Sequence, residues 1–262
     1  MMAKNKILVY TSSATKIPLK EGGNHDVGIF LGELVDPIQP LIEAGHEIEF
    51  VSPDGKSCII DKKSYNLTNW GLSKRRMEHA KHFFETKLHE LGINTPLKLS
   101  DLLKDKEKLN SYDVLFIPGG HAPMTDVLHN NWLVNNDLNN ETGELLLHFH
   151  NNNKITAAIC HGTAVLGAAP IVNDKWIYEG YNMTCVSMAA EYLTEDIPFF
   201  GIGGHMPDYP VKILERLGGI VKTKMLSRSN VVEDRELITG QDPYSAMELG
   251  EKLLAKIESW KL

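Results

Sequence analysis

The fold is decided by the stretch KITAAICHGTAVLGAA, residues 154–169. Residues 155–159 form an apolar run typical of a buried strand, and Gly162 permits a sharp turn into the small-residue run 164–169, which predicts a helix. Cys160 therefore falls at a strand-to-helix junction, the geometry of a nucleophile elbow. The helix N-terminus would favour a thiolate, which makes Cys160 a candidate nucleophile, although a small buried core cysteine fits the same pattern.

Composition favours one ordinary globular domain. The 262 residues are 42% hydrophobic with a net charge of −7, and this balance argues against nucleic acid as a partner, because phosphate binding needs clustered positive charge. No apolar run approaches the ~20 residues that span a bilayer, and the first strand begins too early to leave room for a signal peptide. Three scattered cysteines do not indicate a disulfide framework. We expect a cytoplasmic protein without a membrane partner.

Strands alternate with helices along the rest of the chain. Apolar runs predict strands over 6–10, 46–52, 112–121, 183–187, 219–222 and 236–240, and helical spacing predicts helices over 28–44, 141–151, 211–217 and about 242–260. This alternation predicts an α/β, flavodoxin-like three-layer sandwich with a mostly parallel central sheet and its active crevice at the carboxyl ends of the strands. Pro37 predicts a kink, or a new start, just after Glu33 in the first helix.

Residues from about 56 to 110 differ from this pattern. They are polar and contain no run typical of a central strand, so they are predicted to be an insertion within the single domain 1–262. Packed on the sheet, such an insertion would cap the active crevice, close over a small substrate and exclude water. The asparagine-rich stretch 130–140 is expected to lie on the surface.

Three segments at strand ends should meet at the edge of the sheet: Glu33, the turn that contains Gly119 and Gly120, and the elbow. The two glycines let backbone N–H groups approach a substrate oxygen, and with the N–H of His161 they would form an oxyanion hole; an ordinary tight turn is the alternative. Glu33 lies among apolar residues. A buried carboxyl near a thiolate keeps its proton and donates a hydrogen bond, whereas a solvated helix glutamate would do neither.

These residues resemble a known family. The motifs AICHG at 158–162, IPGGH at 117–121, Glu33 four residues before Pro37, and LITGQDP at 237–243 are similar to those of the DJ/PfpI superfamily, which is related to class I glutamine amidotransferases. The insertion and the adjacent cysteine and histidine resemble its heat-shock chaperone and glyoxalase III branch. The resemblance covers nearly the whole chain.

The resemblance implies a set of site residues. Cys160 matches the nucleophile, Glu33 the glutamate that contacts it, and His161 the histidine of the triad. Glu191 matches the acidic member that some relatives use, while Met188 stands where others have aspartate; a surface glutamate is the alternative for Glu191. The residues that the resemblance implies for substrate binding and the oxyanion are Gly119, Gly120, His121 and Gly162.

Some members of this branch bind a metal through two histidines and a glutamate. His121 matches one of those ligands, but Pro40 replaces the histidine expected on the helix that carries Glu33. A metal site needs several correctly placed ligands, so no metal is predicted at that location. No cofactor is predicted either.

The resemblance implies a cofactor-independent cysteine enzyme that acts on reactive aldehydes in stress protection. The glyoxalase III reaction would convert methylglyoxal to lactate, and a protein deglycase would act on glycated substrates through the same site. A holding chaperone for unfolded client proteins is an alternative from another class, and an intracellular peptidase or amidase is a third. The family also implies a homodimer.

Overall fold

The computed structural model describes residues 4–128, 141–196, 201–225 and 227–260. The strands are β1 (Lys6–Tyr10), β2 (Lys16–Pro18), β3 (Asn24–Asp26), β4 (Glu47–Ser52), β5 (Leu97–Lys98), β6 (Val114–Ile117), β7 (Ile155–Ile159), β8 (Ile171–Val172), β9 (Lys175–Trp176), β10 (Asn182–Met183), β11 (Ile220–Val221), β12 (Val231–Asp234) and β13 (Leu237–Gly240). The α-helices are α1 (Leu31–Glu43), α2 (Lys74–Phe83), α3 (Leu99–Lys104), α4 (Lys106–Asn110), α5 (Glu141–Asn151), α6 (Met188–Asp196), α7 (Pro210–Arg216) and α8 (Ala246–Ser259).

The central sheet has seven strands in the order β12-β13-β7-β6-β1-β4-β5. Six of its strands run parallel, and the edge strand β12 pairs antiparallel with β13. The chain starts at β1 in the middle, builds outward to β4 and β5, and then returns to β6, β7 and β13 on the other side. The order therefore reverses between β1 and β6, and ligands of such sheets bind at the carboxyl ends beside this reversal.

Apolar side chains cover both faces of this sheet. Along β1, Leu8 and Tyr10 join the core cluster on one face, whereas Ile7 and Val9 join the cluster on the other. This alternation follows from the two-residue period of a strand. Helices α1 and α8 pack on the second face, and α3, α5 and α7 contribute to the first. The predicted α/β sandwich with a mostly parallel central sheet is confirmed.

Helix α1 is a single helix that runs through Pro37 and Pro40. Of the two predicted alternatives, the new start after Glu33 is wrong, and the kink stays a prediction. At Gly250 of α8, a Cβ atom would come within 2.8 Å of the Asp36 carbonyl oxygen and 3.0 Å of Pro37 Cα. The glycine thus allows close approach of α8 to the proline turn, and this packing holds α1 in place under the site.

Other details differ from the sequence-based expectations. The run after the elbow forms a 3₁₀ helix over Cys160–Ala168, which starts earlier than the predicted helix. The candidate strands near 183 and 220 pair with each other as β10 and β11 in a separate two-stranded sheet. Edge strand β12 was not predicted.

The insertion contains two 3₁₀ helices, Lys62–Tyr65 and Leu67–Trp70, then α2 extended by the π-helix Phe84–Leu88, followed by β5, α3 and α4. Its strand β5 is an edge strand beside β4, as a segment without a central strand allows. The stretch 130–140 lies outside the described residues. None of the helices within the described ranges combines the length and the apolar character that crossing a membrane requires.

Candidate active site

Cys160 stands at the carboxyl end of β7 with a φ of 57°, in the left-handed region that residues other than glycine seldom adopt. Such strain persists where the surrounding structure imposes it. Here Gly162 allows the close packing of the turn, because a Cβ atom at that position would overlap the Pro118 carbonyl oxygen. The thiol residue is 7% exposed and lines a cavity of about 290 Å³.

Glu33, in the first turn of α1, lies beside Cys160. A Cβ atom at Gly119 would overlap Glu33 Oε2 and come within 2.8 Å of Cys160 Cβ, so the glycine makes room for the acid beside the thiol. The residue is fully buried, and neither carboxyl oxygen has a hydrogen bond of ordinary geometry within the described ranges. Burial raises the pKa of Glu33 to about 8, although the Cys160 thiol and the Gly120 backbone partly offset this rise. At neutral pH the carboxyl group carries its proton.

The pKa of the Cys160 thiol is raised, whereas the helix N-terminus alone would lower it. Burial, with the negative charge of Glu33 as the next cause, raises the pKa of Cys160 well above its ordinary value. Desolvation of a charged sulfur therefore opposes the thiolate that the helix end favours, and the expected resting thiolate stays a prediction. A base beside the sulfur would therefore assist any reaction in which the thiol loses its proton.

The His161 ring lies next to the sulfur. Its Nδ1 lies 3.4 Å from Cys160 Sγ, and its Nε2 lies 2.9 Å from Glu191 Oε1, in the first turn of α6. Burial lowers the pKa of His161 to about 4 and raises the pKa of Glu191 to about 7. The ring is therefore neutral at physiological pH and can accept a proton. The contact with Glu191 has the length of an ion pair without the alignment of a hydrogen bond.

His121 lies beside this pair. Its ring centroid is 4.1 Å from that of His161, with the two planes tilted by 37°. Burial, and then the His161 ring, hold the pKa of His121 well below its ordinary value, so it too is neutral. Gly120 and His121 line the cavity, whereas Gly119 and Gly162 pack behind the thiol. Whether these four residues bind a substrate oxygen stays a prediction.

Sequence reasoning missed most of the cavity wall. Its apolar part comes from Phe30, Val186, Ala190, Leu193 and Pro243, and its remaining polar groups include Asp242 and Tyr244. The signal for Asp242 was present, since it follows strand β13 directly and the carboxyl ends of parallel strands share one edge. Helix α6 gave no such signal. Among the described lining residues, the predicted cap contributes Asn69.

Comparisons with known proteins agree with this architecture. The model of the DJ-1/PfpI family matches residues 29–256. A curated relative from Escherichia coli O7:K1, the protein/nucleic acid deglycase HchA, is 27% identical over 254 residues, which cover 95% of this chain and 79% of the relative.

Two solved structures share the fold. The rapid encystment protein of Francisella tularensis has a TM-score of 0.74 at 22% identity and covers 98% of this chain and 100% of its own. Glyoxalase III of Candida albicans has a TM-score of 0.72 at 20% identity, with 96% of each chain covered.

Proposed function

The chain belongs to the DJ-1/PfpI family, and we propose that it is a cysteine enzyme that converts 2-oxoaldehydes such as methylglyoxal to 2-hydroxy acids without glutathione or another cofactor. The observation that carries this proposal is the position of a proton-bearing Glu33 beside Cys160, at the floor of a small cavity. Relatives named for deglycase and glyoxalase III activity support the same class of substrate.

The first step joins the sulfur to the aldehyde carbon. His161 Nδ1, 3.4 Å from Sγ, accepts the thiol proton as the sulfur attacks, and the protonated Glu33 gives its proton to the aldehyde oxygen to form a hemithioacetal. Deprotonation coupled to attack suits a buried thiol with a raised pKa, because a free thiolate is not required beforehand. Backbone N–H groups at the elbow and at the glycine turn are proposed to hold the developing oxyanion.

The second step is an internal redox reaction. The Glu33 carboxylate that the first step leaves removes the proton from the carbon that bears sulfur, and an enediol forms. Return of a proton to the neighbouring carbon gives a thioester of the 2-hydroxy acid, so one carbon is oxidised as the other is reduced. Glu33 is suited to this transfer, since a carboxyl group with a pKa of about 8 gives and takes a proton near neutral pH.

Water completes the cycle. Hydrolysis of the thioester releases the 2-hydroxy acid and restores the thiol, so the sum is one aldehyde and one water to one hydroxy acid. Glu191 is proposed to orient His161 through its contact with Nε2. With methylglyoxal the product is lactate.

A deglycase reaction is the second candidate for the same site. The likeness to a protein/nucleic acid deglycase favours it, because early glycation adducts are hemithioacetals and hemiaminals of the same 2-oxoaldehydes. A peptidase fits less well, since a cavity of about 290 Å³ is suited to a small molecule. The holding chaperone, the cytoplasmic location and the homodimer stay predictions.

The test is a lactate-release assay with methylglyoxal and no glutathione. Wild type should form lactate, Cys160→Ala should not, and Cys58→Ala should act like wild type, because that buried cysteine lies in the insertion outside the cavity. A parallel assay with a glycated peptide ranks the deglycase reaction by kcat/KM. Lactate formation by Cys160→Ala would refute the mechanism. A wild type that forms no lactate and deglycates nothing, yet suppresses aggregation of a denatured client, would favour the chaperone.

A further inference from the structure

Two buried polar side chains, His121 and Glu191, lie near the His161 ring, and Glu191 contacts Nε2, the nitrogen that does not face the sulfur. His121, His161 and Glu191 each offer an atom within 4.8 Å of the others, and these residues are 8%, 4% and 1% exposed. His121 Nε2, His161 Nε2 and both Glu191 oxygens have no hydrogen bond of ordinary geometry among the residues that the structure describes, although His161 Nε2 and Glu191 Oε1 lie 2.9 Å apart. Buried polar atoms are normally satisfied, so this cluster leaves room for a missing partner.

We propose that His121, His161 and Glu191 bind a divalent transition-metal ion such as Zn²⁺. Two imidazoles and one carboxylate form a known zinc ligand set, with a further position left for water. All three side chains line the cavity, which provides both the path for the ion and the space for that water.

The geometry is close to what the ion needs. Zinc lies about 2.0–2.2 Å from nitrogen and oxygen ligands, so two ligands of a tetrahedral ion are roughly 3.3 Å apart. His161 Nε2 and Glu191 Oε1, at 2.9 Å, must separate by a few tenths of an ångström. The His121 nitrogen, which lies within 4.8 Å of the other two ligand atoms, must approach them to about the same separation. Side-chain torsions are sufficient for both changes.

This site is distinct from the metal site that the family resemblance implied. That site takes a histidine from the helix of Glu33, where this chain has Pro40. The proposed site instead takes its second ring from the elbow and its carboxylate from α6. His121 is the ligand common to both.

Metal binding and thiol chemistry exclude each other. With the ion on Nε2, a neutral His161 ring carries its proton on Nδ1, the atom that faces Cys160 Sγ at 3.4 Å. The ring then cannot accept the thiol proton. The ion is therefore a reversible inhibitor, and this consequence, unlike binding itself, rests on the proposed function.

The binding test uses the full chain, stripped with a chelator and titrated with Co²⁺ and Zn²⁺. Wild type should take up one Co²⁺ with the visible spectrum of a tetrahedral nitrogen and oxygen site, without a thiolate charge-transfer band. Cys160→Ser should bind equally well. His121→Gln and Glu191→Gln should each weaken binding by at least about tenfold. His79→Gln, which removes an exposed surface histidine, is the matched control and should leave affinity unchanged.

Loss of binding in Cys160→Ser would assign the ion to the sulfur and overturn the proposal, as would wild-type affinity in His121→Gln or no binding at all. In the activity arm, Zn²⁺ should abolish lactate release in proportion to occupancy, and chelator should restore it. A chain that binds Co²⁺ as described but forms no lactate keeps the site and loses the proposed function. A chain that forms lactate but binds no metal keeps the proposed function and overturns the metal site.

Discussion

Buried acids at the two ends of the central sheet differ in their hydrogen bonding. At the amino ends, Glu236 precedes β13 and accepts hydrogen bonds from Tyr181 at 3.1 Å to both oxygens, with His150 Nδ1 at 2.7 Å. At the carboxyl ends, Glu33 and Glu191 are equally buried, yet none of their oxygens has a hydrogen bond of ordinary geometry among the described residues, although His161 Nε2 lies 2.9 Å from Glu191. A satisfied acid stabilises the fold. An unsatisfied acid costs stability and is available for chemistry.

The largest expected effect is that of Glu33→Gln. The amide keeps the size of the side chain but cannot transfer a proton, so kcat for methylglyoxal should fall by about 10²–10⁴-fold. The free energy of unfolding at neutral pH should not fall, because the variant removes a buried ionisable group. Steady-state kinetics with urea unfolding check both halves. Near-wild-type kcat would remove Glu33 from the mechanism.

The pH dependence of the free energy of unfolding should report the raised pKa of Glu33. The folded-state pKa of Glu33, about 8, lies above the ordinary value of 4.5, so the folded state holds a proton that the unfolded state releases. The contribution of Glu33 to stability is therefore fully present below pH 4.5 and is lost as the pH rises through 8. Urea unfolding across this range should show a smaller decline in Glu33→Gln than in wild type. Identical slopes would contradict the raised pKa.

The excess of acids at the carboxyl ends should select substrates by charge. The described cavity lining includes Glu33, Glu191 and Asp242 and no lysine or arginine. We expect kcat/KM for the anionic 2-oxoaldehyde 4,5-dioxopentanoate to be about 10²-fold or more below that for the neutral 2-oxohexanal of similar length, since no cation of the described lining can pair with its charge. Leu193→Lys should narrow this gap by adding a positive charge to the wall. Equal use of both substrates by wild type would mean that the acids do not face the substrate.

Glu236→Gln tests the other end of the sheet. The amide is a weaker acceptor for Tyr181 and His150, so the free energy of unfolding should fall by about 1–3 kcal/mol. Lactate release should stay within about threefold of wild type, because Glu236 lies outside the cavity. Thermal unfolding and the activity assay check the two results. A large loss of activity with unchanged stability would mean that Glu236, at the amino ends of the strands, also serves catalysis.

The smallest effect is expected for Asn69→Ala. Asn69 is the residue that the insertion contributes to the described lining, and kcat/KM should change by no more than about threefold. A much larger loss would mean that the insertion closes over the substrate as a cap. Ser57→Ala, elsewhere in the insertion, serves as the control.

Local sequence patterns predict some elements of the fold, whereas other elements depend on contacts between different segments of the chain. The strand Ile155–Ile159 and the turn at Gly119 and Gly120 follow from local patterns, and so does the elbow at Cys160. The short edge strand β12 was missed because Val231 and Val232 are followed by charged residues rather than by an apolar run. Pairing with β13 decides its structure.

The chemistry of the site was less predictable than its position. The raised pKa of Cys160 depends on burial and on Glu33, which lies 127 positions earlier in the chain. The cavity wall from α6 depends on how that helix packs. Local sequence gave the helix end that favours a thiolate, but burial, a property of the whole fold, opposes it.

The most direct measurement is mass spectrometry of the protein quenched during turnover of methylglyoxal. The mechanism predicts an adduct of one methylglyoxal unit on the peptide that carries Cys160, present in wild type and absent from Cys160→Ala. It also predicts that the adduct accumulates when Glu33→Gln slows the later proton transfer. Steady lactate release with no adduct on that peptide, or with an unmodified Cys160 beside modified lysines, would contradict covalent catalysis at the elbow.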